Sequence, residues 1–208
     1  MLFLKEQYSK AFAFVRGPLK KPYLICCGIF LALCVLSYAA LSMMPETARQ
    51  VYDFFAQSVE DSGLMNELGE ISVTDLFMHN VQATGISVLY GLVPFIFLPL
   101  LTLVLNGVVI GGVLAVVQAA GQSNVLLMVL LGLLPHGIFE LPAVLMGMGL
   151  GMVLCLHLSG GILKKSWALP LEALLENLAR VYLLLIIPML AVAALIETYI
   201  TPLLLQLI

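Results

Sequence analysis

The sequence predicts an all-α membrane protein: a polytopic bundle of about five transmembrane helices plus one short outer or re-entrant helix. Three observations carry that reading. Of 208 residues, 62% are hydrophobic and 10% charged, with a mean hydropathy of +1.11. A soluble domain is about 45–50% apolar and about 25% charged, so a soluble fold of this size cannot hide so much apolar surface. The apolar runs, such as LICCGIFLALCVLSYAALSMM, do not alternate as the roughly 10-residue strands of a membrane barrel would. The few charges are segregated by sign along the chain. Together these exclude a soluble enzyme, a nucleic-acid-binding domain and a disordered regulator.

The elements follow in order. Residues 1–22 carry Lys5, Lys10, Arg16, Lys20 and Lys21 and are read as a cytoplasmic basic segment. Residues 23–44 are long enough to span, unlike the roughly 7–15-residue core of a signal peptide, and are read as an anchor. Residues 45–75 carry seven acids against the single Arg49. Lys164, Lys165 and Arg180 make the second basic segment. Cytoplasmic loops are enriched in Lys and Arg, so the N-terminus and the 164–180 linker are expected inside and the acidic loop outside. The aromatics in VYDFFAQSVEDSG suggest a helix lying at the outer interface, with an exposed linker as the alternative.

Residues 76–208 form the core of the bundle. The apolar stretch 76–119 would measure about 66 Å as one helix, against a hydrocarbon core of about 30 Å. Pro94 and Pro99 mark a break, giving one span near 76–94 running inward and another near 98–119 running outward. Residues 125–134 are half a span and precede Pro135 and Gly137. A short outer or re-entrant helix, a break at Pro135-His136-Gly137 and a full inward span near 138–160 are expected. The segment KKSWALPLEALLENLAR reads as amphipathic and surface-lying. The last span runs near 181–203, which puts the C-terminus outside. The four cysteines, Cys26, Cys27, Cys34 and Cys155, all lie in apolar runs and read as packing residues rather than a disulfide or metal framework.

Ionisable groups at membrane depth are costly and default to functional candidates. Here they are His79, His136, Glu140 and Glu197, with Asn80 and Asn106 as neutral polar neighbours. His79 and His136 each open an inward span. Glu197 lies sixteen residues along an outward one, about 24 Å from its inner end. All four are therefore expected in the outer third of the membrane, while His157 falls near the inner end. His136 and Glu140 are four apart and share a helix face. Three uses are open to the group: a bound divalent transition metal of the zinc type, a structural cluster, or a proton or ion path. No Ser-His-Asp or Cys-His arrangement and no phosphate loop is present, so no catalytic residue is assigned. Gly107 and Gly111, and Gly147 and Gly151, make small-residue faces. They serve either packing within one subunit or a homodimer.

Leu105-Asn106-Gly107-x-x-x-Gly111, then Leu134-Pro135-His136-Gly137-x-x-Glu140-Leu141-Pro142-Ala143, then Ile196-Glu197-x-x-Ile200-Thr201-Pro202 resemble the stage II sporulation protein M family over roughly residues 75–203. The resemblance implies a non-enzymatic integral membrane protein. It also implies a scaffold in the cell envelope, contacting lipid and recruiting extracytoplasmic partners such as cell-wall hydrolases. A protein moving a small solute, ion or lipid, or an intramembrane metal-dependent hydrolase, are the alternatives.

Overall fold

The computed structural model describes residues 2–61, 72–121, 124–163 and 169–207. Among these there are seven helices and no strand. They are α1 (Leu2–Arg16), α2 (Lys20–Ser42), α3 (Pro45–Asp61), α4 (Val73–Leu89), α5 (Pro99–Ala120), α6 (Val125–Ile162) and α7 (Leu171–Leu205). Four of them, α2, α5, α6 and α7, are long and apolar enough to cross a membrane. The chain is an all-α membrane protein. Helix α4 has 17 residues and continues through a 3-10 turn, Tyr90–Leu92, reaching about 30 Å. It is the fifth element the sequence reads as a span. Residues 62–71 of the acidic stretch and residues 164–168, with Lys164 and Lys165, lie outside the described residues.

The expected break at Pro135 is absent. Helix α6 runs without interruption for 38 residues, and so holds both the expected short helix and the span after it. A π-helical turn, Met128–Leu133, explains this. Proline lacks an N–H, and its ring collides with the carbonyl four residues earlier; a widened turn moves that carbonyl aside. The device recurs. Helix α7 has π turns at Tyr182–Ile186 and Ile196–Ile200. Each of the three ends two residues before a proline: Pro135, Pro188 and Pro202. Helices α6 and α7 therefore pass these three prolines without stopping; Pro142 also lies inside α6, with no widened turn before it.

The chain forms two compact units. The first comprises Met1–Cys27, Asn80–Leu103 and Glu140–Leu190. Its centre is the stretch of α6 from Leu145 to Met152, every residue of which is buried. A helix apolar on all sides needs neighbours on all sides. Gly147 admits Thr84 of α4, Gly149 admits Leu19 and Tyr23, and Gly151 admits Ser87 and Pro99. Gly91 lies against the Gly151 backbone. Helix α1, a segment the sequence reading left without secondary structure, packs on Leu171–Val181. Ala11 and Phe14 are buried on one side, and Leu174, Leu178 and Val181 on the other. Arg180 Nε donates to Gln7 Oε1 (2.6 Å). On the exposed face of α1, Lys10 bonds Glu6 at 2.6 Å. That hydrogen bond, with the lysine's charge, holds the Glu6 carboxyl below its usual range.

The uncharged turn between α4 and α5 also belongs to this unit. Phe95 and Phe97 both have positive φ, 68° and 52°, a strained conformation for bulky side chains. The turn is tied to α6 at two points, Phe95 and Val93. Phe95 N–H donates to Ser159 Oγ (2.9 Å), Ser159 Oγ–H donates to the Cys155 carbonyl (2.7 Å), and Cys155 Sγ–H reaches the Val93 carbonyl (3.4 Å).

The second unit comprises Gly28–His79, Val104–Phe139 and Ala191–Ile208. Here α2 and α5 lie close because Gly107 faces Leu33 and Gly111 faces Ser37 and Tyr38. Tyr38 and Ser42 both donate to Gln118 Oε1, at 2.6 and 3.2 Å. Helix α3 seats Ala48 and Val51 on Leu41, Ala115 and Val116. The π turn Met128–Leu133 packs on Thr201–Leu205 at the end of α7.

Candidate functional site

The site grows from the N-terminal half of α6 and the end of α7. Because the π turn carries α6 through Pro135, His136 and Glu140 stand on one uninterrupted helix, one turn apart and on one face. Glu140 is the first residue past the point where α6 leaves the second unit, and helical continuity alone sets it beside His136. Glu197 comes from the π turn Ile196–Ile200, and Thr201 follows it by four residues.

One ligand atom from each of His136, Glu140 and Glu197 lies within 4.8 Å of the other two. His136 is 9% exposed and Thr201 6%. His136 Nδ1 lies 3.2 Å from Thr201 Oγ1. Thr201 Oγ1 in turn donates to the Ile196 carbonyl (3.4 Å). In the Nδ1–H tautomer the threonine oxygen accepts from the ring, which leaves the imidazole lone pair on Nε2. Glu197 also lines an otherwise apolar cleft of about 440 Å³ with Phe55, Val113, Met128, Leu133 and Leu205.

The other sequence candidates distribute differently. His79 lies on α4 with an exposed side chain and stands outside the group of three, so the fourfold convergence expected from depth narrows to three residues. Depth along a span does not specify which way a side chain faces. Asn80 has its amide nitrogen buried without a hydrogen-bond partner. Asn106 is exposed on α5. Gly107, Gly111, Gly147 and Gly151 are each filled by the chain's own helices. Small-residue spacing signals close approach but does not name the partner; here the partner is the same subunit.

Thr201 is the residue that reasoning from charge missed. It is uncharged, yet its spacing from Glu197, four residues on a helix, was the available signal. Helix α3 supplies a second feature. Its inner face is occupied, while Tyr52, Phe54 and Phe55 are exposed beside Glu46, Asp53, Glu60 and Asp61. Arg49, Tyr52 and Asp53 line a shallow cavity of about 340 Å³ with Pro45 and Val116.

With this arrangement in view, residues 23–202 match the family model of stage II sporulation protein M. The chain belongs to that family. The match takes in α2 through nearly all of α7, so it covers the three cluster residues, Thr201 and α3 together. No curated protein and no solved structure matches the chain at a significant level.

Proposed function

We propose that this member of the stage II sporulation protein M family is a non-catalytic membrane scaffold. It sits in the cell membrane with its N-terminus cytoplasmic and its C-terminus outside, and recruits extracytoplasmic partners such as cell-wall hydrolases. The observation that supports the reading is α3. It is pinned by Ala48 and Val51 and leaves Phe54 exposed with Glu46, Asp53, Glu60 and Asp61, while Tyr52 and Phe55, also exposed, border the clefts against α5. Aromatic side chains are what protein interfaces favour at their anchors. The basic segments at residues 5–21 and 164–180 support the orientation, which puts α3 outside. A homodimer, if formed, uses surfaces other than the four glycines.

Photo-crosslinking tests the scaffold. A benzoylphenylalanine at Phe54 should give adducts with an envelope protein that carries a cell-wall hydrolase domain. Tyr52→Ala should reduce them. Adducts with lipid alone sink the reading.

A second reading, a protein moving a small solute, ion or lipid, is favoured by the cleft that ends at Glu197. It requires flux in proteoliposomes that Glu140→Gln abolishes; the scaffold produces none.

A further inference from the structure

We propose that His136, Glu140 and Glu197 bind one zinc-like transition-metal ion within the membrane, and that Thr201 orients His136 for it. The inference goes beyond the scaffold reading and stands or falls separately from it.

Charge gives the first argument. Two carboxylates and a neutral imidazole share a space 4.8 Å across, at a depth where an isolated ionised carboxylate is heavily penalised. A divalent cation cancels both charges at once. Donor chemistry gives the second. Three ligands, one of them imidazole, suit zinc and its neighbours. Magnesium and calcium take six or more oxygens, and the group offers two carboxylates. Zinc bonds of about 2.0–2.2 Å set tetrahedral ligands about 3.4 Å apart, so the three side chains close inward by about an ångström or so.

The third argument is Thr201. A metal-bound histidine almost always donates its other ring N–H to an oxygen, which fixes the tautomer and aims the ligating nitrogen. Thr201 holds that position on Nδ1, with its own proton sent to the Ile196 carbonyl. Three protein ligands leave one coordination position open.

Metal analysis of the full chain decides the matter. The protein is purified in detergent, loaded with zinc, passed through a desalting column and measured by mass spectrometry. We expect about one zinc per chain, retained in His79→Ala and lost in His136→Ala and Glu197→Gln. Thr201→Val should bind about 10–100-fold more weakly. Cobalt loading should give visible absorption bands in the wild type that vanish in Glu197→Gln. Circular dichroism and a monodisperse elution profile establish that each variant is folded. Folded wild type without zinc above background overturns the proposal, and so does folded Glu197→Gln that keeps its zinc. Equal loss in His79→Ala moves the metal elsewhere and overturns it too.

Discussion

Thr201 and His136 are 65 positions apart in sequence and 3.2 Å apart in space, both buried. The bond ties the end of α7 to the N-terminal third of α6. Removing the hydroxyl leaves a buried ring N–H without an acceptor, at a cost of about 1–3 kcal/mol. Thr201→Val should therefore lower the thermal midpoint in detergent even in protein stripped of metal. An unchanged midpoint would mean that the bond contributes nothing to the apo fold.

Close backbone approach at Gly91 gives a sharper test. A methyl group there meets the Gly151 carbonyl carbon at 2.8 Å and its Cα at 2.9 Å, atoms that cannot rotate away. Gly91→Ala should cost about 1–3 kcal/mol or more. Gly161, exposed and with nothing within 4 Å of an added Cβ, is the control. Gly161→Ala should be neutral or stabilising by up to about 1 kcal/mol. Chemical unfolding of the two variants side by side reads the difference, and equal stabilities would refute the packing at Gly91.

Arg180 should govern α1. Its side chain is 14% exposed, bonded to Gln7 at 2.6 Å and to Asn177 at 2.7 Å, with Glu176 at 3.6 Å. Arg180→Ala removes a charged hydrogen bond worth about 1.5–3 kcal/mol. Hydrogen exchange over residues 2–16 should quicken while the centre of α6 stays protected. Unchanged exchange in α1 would show that Ala11 and Phe14 alone hold it.

Orientation is open to direct labelling. A cysteine at Asp61, exposed at the end of α3, should react in intact cells with a membrane-impermeant thiol reagent. A cysteine at Lys164 should react only after the cells are opened. The reverse pattern would invert the topology.

Much of this architecture was legible beforehand. Apolar length located α2 and α5, and the two prolines flanking VPFIFLPL located the turn between α4 and α5. Depth counting brought Glu197 level with His136. Two kinds of information were missing. Proline is normally a stop signal, so Pro135 read as a break; only the geometry of Met128–Leu133 shows how the helix passes it. Facing was equally hidden. Aqueous helices declare their buried side by amphipathicity, but in α5 and α6 nearly every side is apolar, and polarity cannot say that Gly111 meets Ser37 or that His79 stands apart. Helix α1 was missed for another reason. Its charges dominated the reading, while its buried residues Ala11 and Phe14 are only two.

The widened turn at Ile196–Ile200 gives the chain slack in its frame. A π turn is in effect one residue more than an α-helix needs. Deleting a single residue from that turn, Thr198 for example, restores regular winding and leaves Thr201 roughly in register with His136. A second deletion has no such slack: each residue of regular winding is about 100° of rotation, and everything after it swings round by that angle, carrying Thr201 away. Deletion scanning through residues 196–200 should find the loss of one residue tolerated far better than the loss of two.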